Sequence, residues 1–265
     1  MAAGPSRPGD DLEARLRSTT RRGFAISGAT ILAGFGTWRW LVTRSLDDGL
    51  IWPLRRVHNL NERIGRAAFS PSRRARDFPR SAAREPRVNG TIGMEPALDA
   101  GAWRLRVEGE AGAAPRVLDL DAIRALPRHE QTTELKCIEG WSTVVHWAGA
   151  RLADLAASTG LASRGGRPYD PASPPADLLD YVGMSTPDAG YYVGLDMPGA
   201  LHPQTLLCYE MDGQPLSPAH GAPLRLVIPV KYGIKNIKRI GTIRFADSRP
   251  ADYWAENGYD WYSGH

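Results

Sequence analysis

Cysteine is nearly absent from this 265-residue sequence, which holds only Cys137 and Cys208. Two cysteines build no disulfide framework and allow at most one bridge, in an oxidising compartment. Neither sits in a Cys-x-x-Cys-His haem spacing or an iron–sulfur spacing. The chain also lacks a G-x-G-x-x-G or G-K-[ST] phosphate loop, and it has no internal repeat. No apolar run reaches the ~20 residues of a comfortable membrane span. A net charge of +4 comes with no aromatic-interleaved basic face or nucleic-acid reader motif, so it is not read as a nucleic-acid footprint.

What remains is a chain long enough to bury a full core, with 42% hydrophobic and 23% charged residues. Residues 1–18 are polar and read as irregular. Arg21-Arg22 then precede Phe24 and a Gly/Ala-rich apolar segment running to about Trp38. That arrangement reads as a twin-arginine export signal or as a cationic flank on a membrane anchor. Residues 45–86 read as a connector. Within it Leu50, Ile51, Leu54, Val57, Leu60 and Ile64 have helical spacing, which predicts a short amphipathic helix. The run Pro71-Ser72-Arg73-Arg74-Ala75-Arg76 breaks it, and the arginines of that run read as solvated, with proximity to anionic lipid as the other reading.

From Val88 onward short strands alternate with few helices. Trp103, Leu105 and Val107 alternate with charged residues, as a half-buried strand does. Asp119 or Asp121 can cap a short helix that ends before Pro127. Thr132–Cys137, Tyr181–Met184, Tyr191–Val193, Leu206–Tyr209, Leu224–Val230 and 240–245 read as strands, and Gly160 closes a helix near Leu152. The fold class is therefore β-rich mixed α+β. An aromatic tail (Tyr253, Trp254, Tyr259, Trp261, Tyr262) packs back on the domain.

Cys137 ends one of these strands and enters the turn Ile138-Glu139-Gly140-Trp141-Ser142. A cysteine there is a soft metal ligand, a nucleophile or a small buried hydrophobe. Three further stretches follow in order: Leu201-His202-Pro203-Gln204-Thr205, His220-Gly221-Ala222-Pro223-Leu224-Arg225, and Lys231-Tyr232-Gly233-Ile234-Lys235-Asn236-Ile237-Lys238. Cations at glycine-containing turns suit a phosphate or polar heterocycle. With the cysteine stretch, the set resembles the sulfite-oxidase superfamily of molybdopterin enzymes. Within it, the chain looks most like the bacterial periplasmic protein-methionine-sulfoxide reductase catalytic subunits. The resemblance spans roughly residues 88–250.

By that resemblance the chain divides into an export signal or anchor (1–44), a linker (45–87) and a molybdopterin-binding oxidoreductase domain (88–265). Cys137 becomes the thiolate ligand of molybdenum, and soft sulfur suits such a metal. Asn89, Thr186, His220, Arg225, Asn236, Ile237 and Lys238 become the contacts to the pterin and its phosphate. Glu139 and Tyr192 are candidates for proton transfer. Cys208 reads as core.

Two departures bear on substrate. Where sulfite oxidases carry arginine after the metal cysteine, this chain has Glu139, Gly140 and Trp141, and a carboxylate disfavours a doubly charged oxyanion. Trp141 and Trp147 offer an apolar wall for an uncharged group, or are plain core. The resemblance implies a molybdenum-dependent oxidoreductase transferring an oxygen atom, on a sulfoxide or another small or protein-bound sulfur substrate. Electrons would pass to or from a membrane haem protein or cytochrome, in the periplasm or at its membrane through the N-terminal segment. The rival readings are a sulfite dehydrogenase, a membrane-tethered binding protein with a degenerate cofactor site, and an exported protein with a Cys137–Cys208 bridge.

Overall fold

The computed structural model describes residues 8–47, 49–95, 97–110 and 113–265, with side chains described from residue 19 onward. Helix α1 spans Pro8–Val42, so the reading of residues 1–18 as irregular is corrected from Pro8 on. A proline in the first turn and acidic residues just after it favour a helix start. Among the described residues, no helix is long and apolar enough to cross a membrane. A two-stranded ribbon, β1 (Leu46–Asp47) and β2 (Leu50–Ile51), leads into helix α2 (Trp52–Ala68).

The stretch read as a linker is packed against the domain. Buried Arg55 on α2 donates to the carbonyls of Ala255 (2.7 Å), Tyr259 (3.0 Å) and Asp47 (3.2 Å). Glu62 binds Arg66 at 2.9 Å and Arg249 at 3.0 Å. Beyond α2, the Phe78 N–H donates to the Thr132 carbonyl and the Arg84 N–H to that of Val144. The Gln204 side chain holds both backbone groups of Ala75. A linker reading rests on composition, and composition does not register these long-range polar contacts.

The domain proper follows as β3 (Leu105–Glu108), β4 (Arg116–Leu118), α3 (Leu120–Arg124), β5 (Arg128–Lys136), β6 (Ser142–Arg151), α4 (Leu152–Thr159), β7 (Tyr181–Ser185) and β8 (Tyr192–Asp196). Then come α5 (Met197–Ala200), β9 (Leu206–Met211), β10 (Gln214–Pro215), β11 (Arg225–Val227), β12 (Thr242–Ala246) and α6 (Tyr253–Glu256). The punctuation agrees with the sequence. Asp119 caps α3 by accepting from the Ala122 N–H, and Gly160 ends α4 in the left-handed region.

Two five-stranded sheets result. One runs β10-β9-β6-β5 with β11 also on β9, and the other runs β4-β3-β12-β7-β8. Among the described residues only the pairing of β12 with β3 in these sheets is parallel. Strand β9 is buried on both faces. Leu207 and Tyr209 join the main core with Leu105, Val182, Leu195, Phe245 and Leu155, whereas Leu206 and Cys208 join Val145, Trp147 and Val227 in a second cluster. Two-sided burial is why Leu206–Tyr209 reads as a continuous apolar run rather than an alternating one.

Candidate molybdopterin site

Strands β5 and β6 pair in register down to Lys136↔Ser142, which leaves residues 137–141 as a hairpin loop. Two backbone bonds set its shape: Cys137 N–H to the Trp141 carbonyl at 2.9 Å, and Gly140 N–H to the Cys137 carbonyl at 3.2 Å. Gly140 has φ +85°, a left-handed conformation that glycine adopts without Cβ strain. The sequence Glu-Gly-Trp is thus the turn chemistry that lifts Cys137 to the rim of the sheet. Its thiol is free and partly exposed. Cys208 is also free, so the bridged alternative is not the arrangement observed. Burial pushes the Cys208 thiol up to about 12, which keeps it protonated in the core.

Cys137 opens onto a cavity of about 380 Å³, within the size range of small-ligand sites. Of the expected residues, Cys137, Glu139, Asn89, Arg225, Asn236 and Lys238 line it together. The loop 233–238 lies against the cysteine hairpin so closely that a Cβ on Gly233 would sit 3.2 Å from the Lys136 carbonyl oxygen.

Three lysines in the stretch 231–238 look alike in sequence, but their partners separate them. Lys231 binds Asp196 at 2.9 Å and Lys235 binds Asp252 at 2.5 Å, both pairs inside the protein. Lys238 meets no carboxylate among the described residues. It donates to the carbonyls of Asn89 (2.6 Å) and Ala219 (3.0 Å). Two lysines therefore pin the loop from within, and the third is the cation left for the cavity.

Arg225 is the second cation. It is only 3% exposed, its Nη1 donates to the His220 carbonyl at 3.0 Å, and its guanidinium lies 4.8 Å from the Trp147 ring centroid. Among the described residues its Nε is buried without a hydrogen-bond partner. Burial pushes the guanidinium down to about 10, so it stays charged at neutral pH. A buried cation with an orphaned donor and no counter-ion is costly. Burial and the neighbouring Arg225 together push Lys238 down to about 8. Two uncompensated cations at one cavity fit an anionic group such as a pterin phosphate. The donor set fits the metal as well. Cys137 brings one soft, partly exposed thiol to the cavity, and a metal carried largely by its own cofactor needs one soft protein ligand.

The remaining expected residues lie elsewhere. Thr186 is buried, donates to Asp188 at 2.5 Å and sits beneath Gly93. His220 is buried, with Nε2 3.5 Å from Glu85. Ile237 lies in the main core and offers its carbonyl to the Leu226 N–H. Tyr192 donates its hydroxyl to Glu256, outside the cavity lining. Its neighbour Tyr191 lines the cavity instead and donates to the Ile234 carbonyl at 2.5 Å. Adjacent residues at a strand start point to opposite faces, and composition does not say which faces the site. Trp147 is 1% exposed and packs beneath Arg225, which is the core alternative and not the apolar wall. Trp141 forms that wall, with Ile92, Ile138, Trp254 and Tyr259. Trp254 and Tyr259 were readable only as packing aromatics, since no local motif brings the tail to the cysteine.

The family model for the oxidoreductase molybdopterin-binding domain matches residues 92–254. This chain belongs to that family. It is a molybdenum-dependent oxidoreductase, with the expected β-rich α+β fold. A protein of Azospira oryzae, provisionally named protein-methionine-sulfoxide reductase subunit YedZ1, is 31% identical over 96% of this chain and 89% of its own length. The protein-methionine-sulfoxide reductase catalytic subunit MsrP of Burkholderia mallei is 40% identical over 66% of this chain. The chain spans 55% of that relative's length. The sulfane dehydrogenase SoxCD of Paracoccus pantotrophus is a partial structural likeness, with a TM-score of 0.48 and 19% identity over 68% of this chain and 47% of its own.

The two cations give a pH signature. Inorganic pyrophosphate is expected to raise the melting temperature of cofactor-free protein, more at pH 7 than at pH 9. Lys238 is charged below its folded value of about 8 and loses that charge above it, so anion binding weakens as pH rises. Thermal shift across this range, beside Lys238→Met, checks it: the variant should lose most of the pH dependence.

Proposed function

We propose that the family site in this chain reduces a sulfoxide, on methionine or a similar thioether. Cys137 supplies the thiolate to molybdenum, and Arg225, Lys238, Asn236 and Asn89 hold the pterin. When bound, the cofactor supplies two-electron oxygen-atom transfer. The balance is one sulfoxide, two electrons and two protons to one thioether and one water. The observation that carries the substrate class is the mix of groups around Cys137. Ile92, Ile138, Trp141, Trp254 and Tyr259 are apolar or aromatic, and the one carboxylate is Glu139. The Trp141 Nε1 donates to Glu139 at 3.0 Å and fixes the carboxylate beside the wall. An uncharged sulfoxide meets apolar surface there, whereas sulfite would meet a like charge. Glu139 is also placed to hand over a proton. The names of the two reductase relatives support the same reading.

An oxidoreductase of this kind exchanges electrons with a redox partner. We assign that role to a haem protein at the membrane. Arg21 and Arg22 before the apolar half of α1 support an extracytoplasmic site of action. Sulfoxide-dependent oxidation of a reduced viologen, set beside sulfite-dependent cytochrome reduction, tests the substrate. Turnover with the sulfoxide and none with sulfite is expected, and the reverse would transfer the protein to the sulfite-dehydrogenase reading.

Arg55 provides a second test. Its guanidinium bridges the Ala255 and Tyr259 carbonyls on either side of the turn that carries the Trp254–Tyr259 pair, whose rings meet edge to face at 5.1 Å. Arg55→Gln is expected to raise KM for the sulfoxide about tenfold, the cost of roughly one charge-assisted hydrogen bond. The kcat and molybdenum content should stay near the parent values, because Cys137, Arg225 and Lys238 are untouched.

A further inference from the structure

Helix α2 is packed the wrong way round for a soluble amphipathic helix. Its polar residues Arg55 and Glu62 are 6% and 8% exposed, whereas Val57, Leu60 and Ile64 are 50%, 54% and 59% exposed. A surface helix normally turns its apolar stripe to the core. Here Val57, Leu60 and Ile64 fall at i, i+3 and i+7, which is one outward face. Leu54 adds to the exposed surface at 45%. The inward face is fixed by the Arg55 and Glu62 contacts already described, so the stripe is not awaiting rotation into the core.

The charge around the stripe is one-sided. Residues 49–76 contain arginine at 55, 56, 63, 66, 73, 74 and 76, and Glu62 is the only acid. Arg55 and Glu62 are turned inward, and Arg66 is paired with Glu62. Arg56, Arg63, Arg73, Arg74 and Arg76 are exposed. Arg56 stacks on Trp52 with 4.3 Å between its guanidinium carbon and the ring centroid, at the N-terminal end of the helix. An exposed apolar stripe, flanking arginines and a terminal tryptophan are the makings of a helix that lies in the headgroup plane of a membrane.

We propose that α2 docks on an anionic lipid surface, independently of α1. The apolar stripe enters the acyl boundary, and the exposed arginines meet anionic headgroups. Charge complementarity decides against a second copy of this chain, since the same face would present arginines to arginines. The consequence is that the folded domain stays on the membrane after α1 is removed or disengaged. The inward face of the same helix holds the Trp254–Tyr259 wall through Arg55, so lipid-bound α2 and the site form one continuous structure.

The test uses full-length holoprotein and sedimentation with vesicles of phosphatidylcholine alone or with phosphatidylglycerol. A first variant carries Ile31→Gln, Phe35→Gln and Trp38→Gln, which removes apolar side chains from α1. A second adds Val57→Gln, Leu60→Gln and Ile64→Gln. The first variant is expected to bind phosphatidylglycerol vesicles, weakly at high salt, and to ignore pure phosphatidylcholine. The second is expected to bind at least about tenfold more weakly, because three apolar side chains no longer enter the lipid. Its melting temperature should match that of the first, since the changed residues are exposed. Equal binding by both variants would overturn the proposal, as would no binding by the first. A parent dimer that the α2 changes convert to monomer would also overturn it, by making the stripe an interface between copies.

Discussion

Cys137→Ser is expected to abolish turnover and strip molybdenum from the protein, while thermal stability stays within about 0.5 kcal/mol of the cofactor-free parent. The hairpin is held by backbone bonds from Cys137 and Gly140 and by the Gly140 conformation. None of these depends on the sulfur. Serine has nearly the same volume but is a hard, weakly acidic ligand, poorly matched to a metal that selects thiolate. Outer-shell changes at metal sites already cost about 10- to 100-fold, so loss of a direct ligand should cost at least that. Steady-state turnover, metal analysis and a melting curve on the same preparation check the three parts. Retained turnover in a metal-loaded Cys137→Ser protein would remove Cys137 from its role. Unfolding of the variant would show that the hairpin needs the thiol.

Asp252→Ala carries the largest expected loss of stability, about 3–5 kcal/mol, the usual cost of removing one partner from a buried ion pair. Asp252 is 2% exposed. It accepts from Lys235 Nζ at 2.5 Å, from the Gly194 N–H at 3.0 Å and from the Ala255 N–H at 3.0 Å. One carboxylate therefore neutralises a buried lysine, joins β8 to the tail and caps α6. Lys235 would be left with the Gly194 carbonyl at 2.9 Å and a charge it cannot solvate. Burial already lowers the Lys235 pKa, and removing the carboxylate lowers it further. A lysine whose folded pKa lies below its unfolded value leaves the unfolded chain with more protons in that window, so the variant gains stability as pH rises toward 10.5. Denaturant melts at pH 7 and pH 9.5 test this. A smaller deficit at the higher pH is expected, and equal deficits at both would show that the cap and the β8 contact dominate instead.

The two variants separate what the chain made legible from what it did not. Cys137, Glu139, Arg225, Asn236 and Lys238 were recognisable because each sits in an ordered local motif, and the structure gathers them at one cavity. Asn89 joined them although it lies far upstream, because Lys238 holds its carbonyl. The roles of Lys231 and Lys235 were not legible. Their partners Asp196 and Asp252 are distant in sequence, and a lysine in a glycine-containing turn looks the same whether it faces a ligand or an aspartate. Strand β6 was not assigned at the sequence level, although Val144, Val145, His146 and Trp147 read as mostly apolar, because both its faces are covered and alternation is lost. The Trp254–Tyr259 wall is a tertiary product of Arg55 and the Asp252 cap. The orientation of α2 escaped for the opposite reason, since periodicity reports an amphipathic helix but not which face the domain takes.

Molybdenum and pterin content of full-length protein from a cofactor-competent host, measured beside Arg225→Met with Lys238→Met, tests the central claim most directly. Stoichiometric metal and pterin are expected in the parent and their loss from the double variant, which should remain folded and melt no lower than cofactor-free parent. Stoichiometric cofactor in both proteins, or none in the parent, would contradict it.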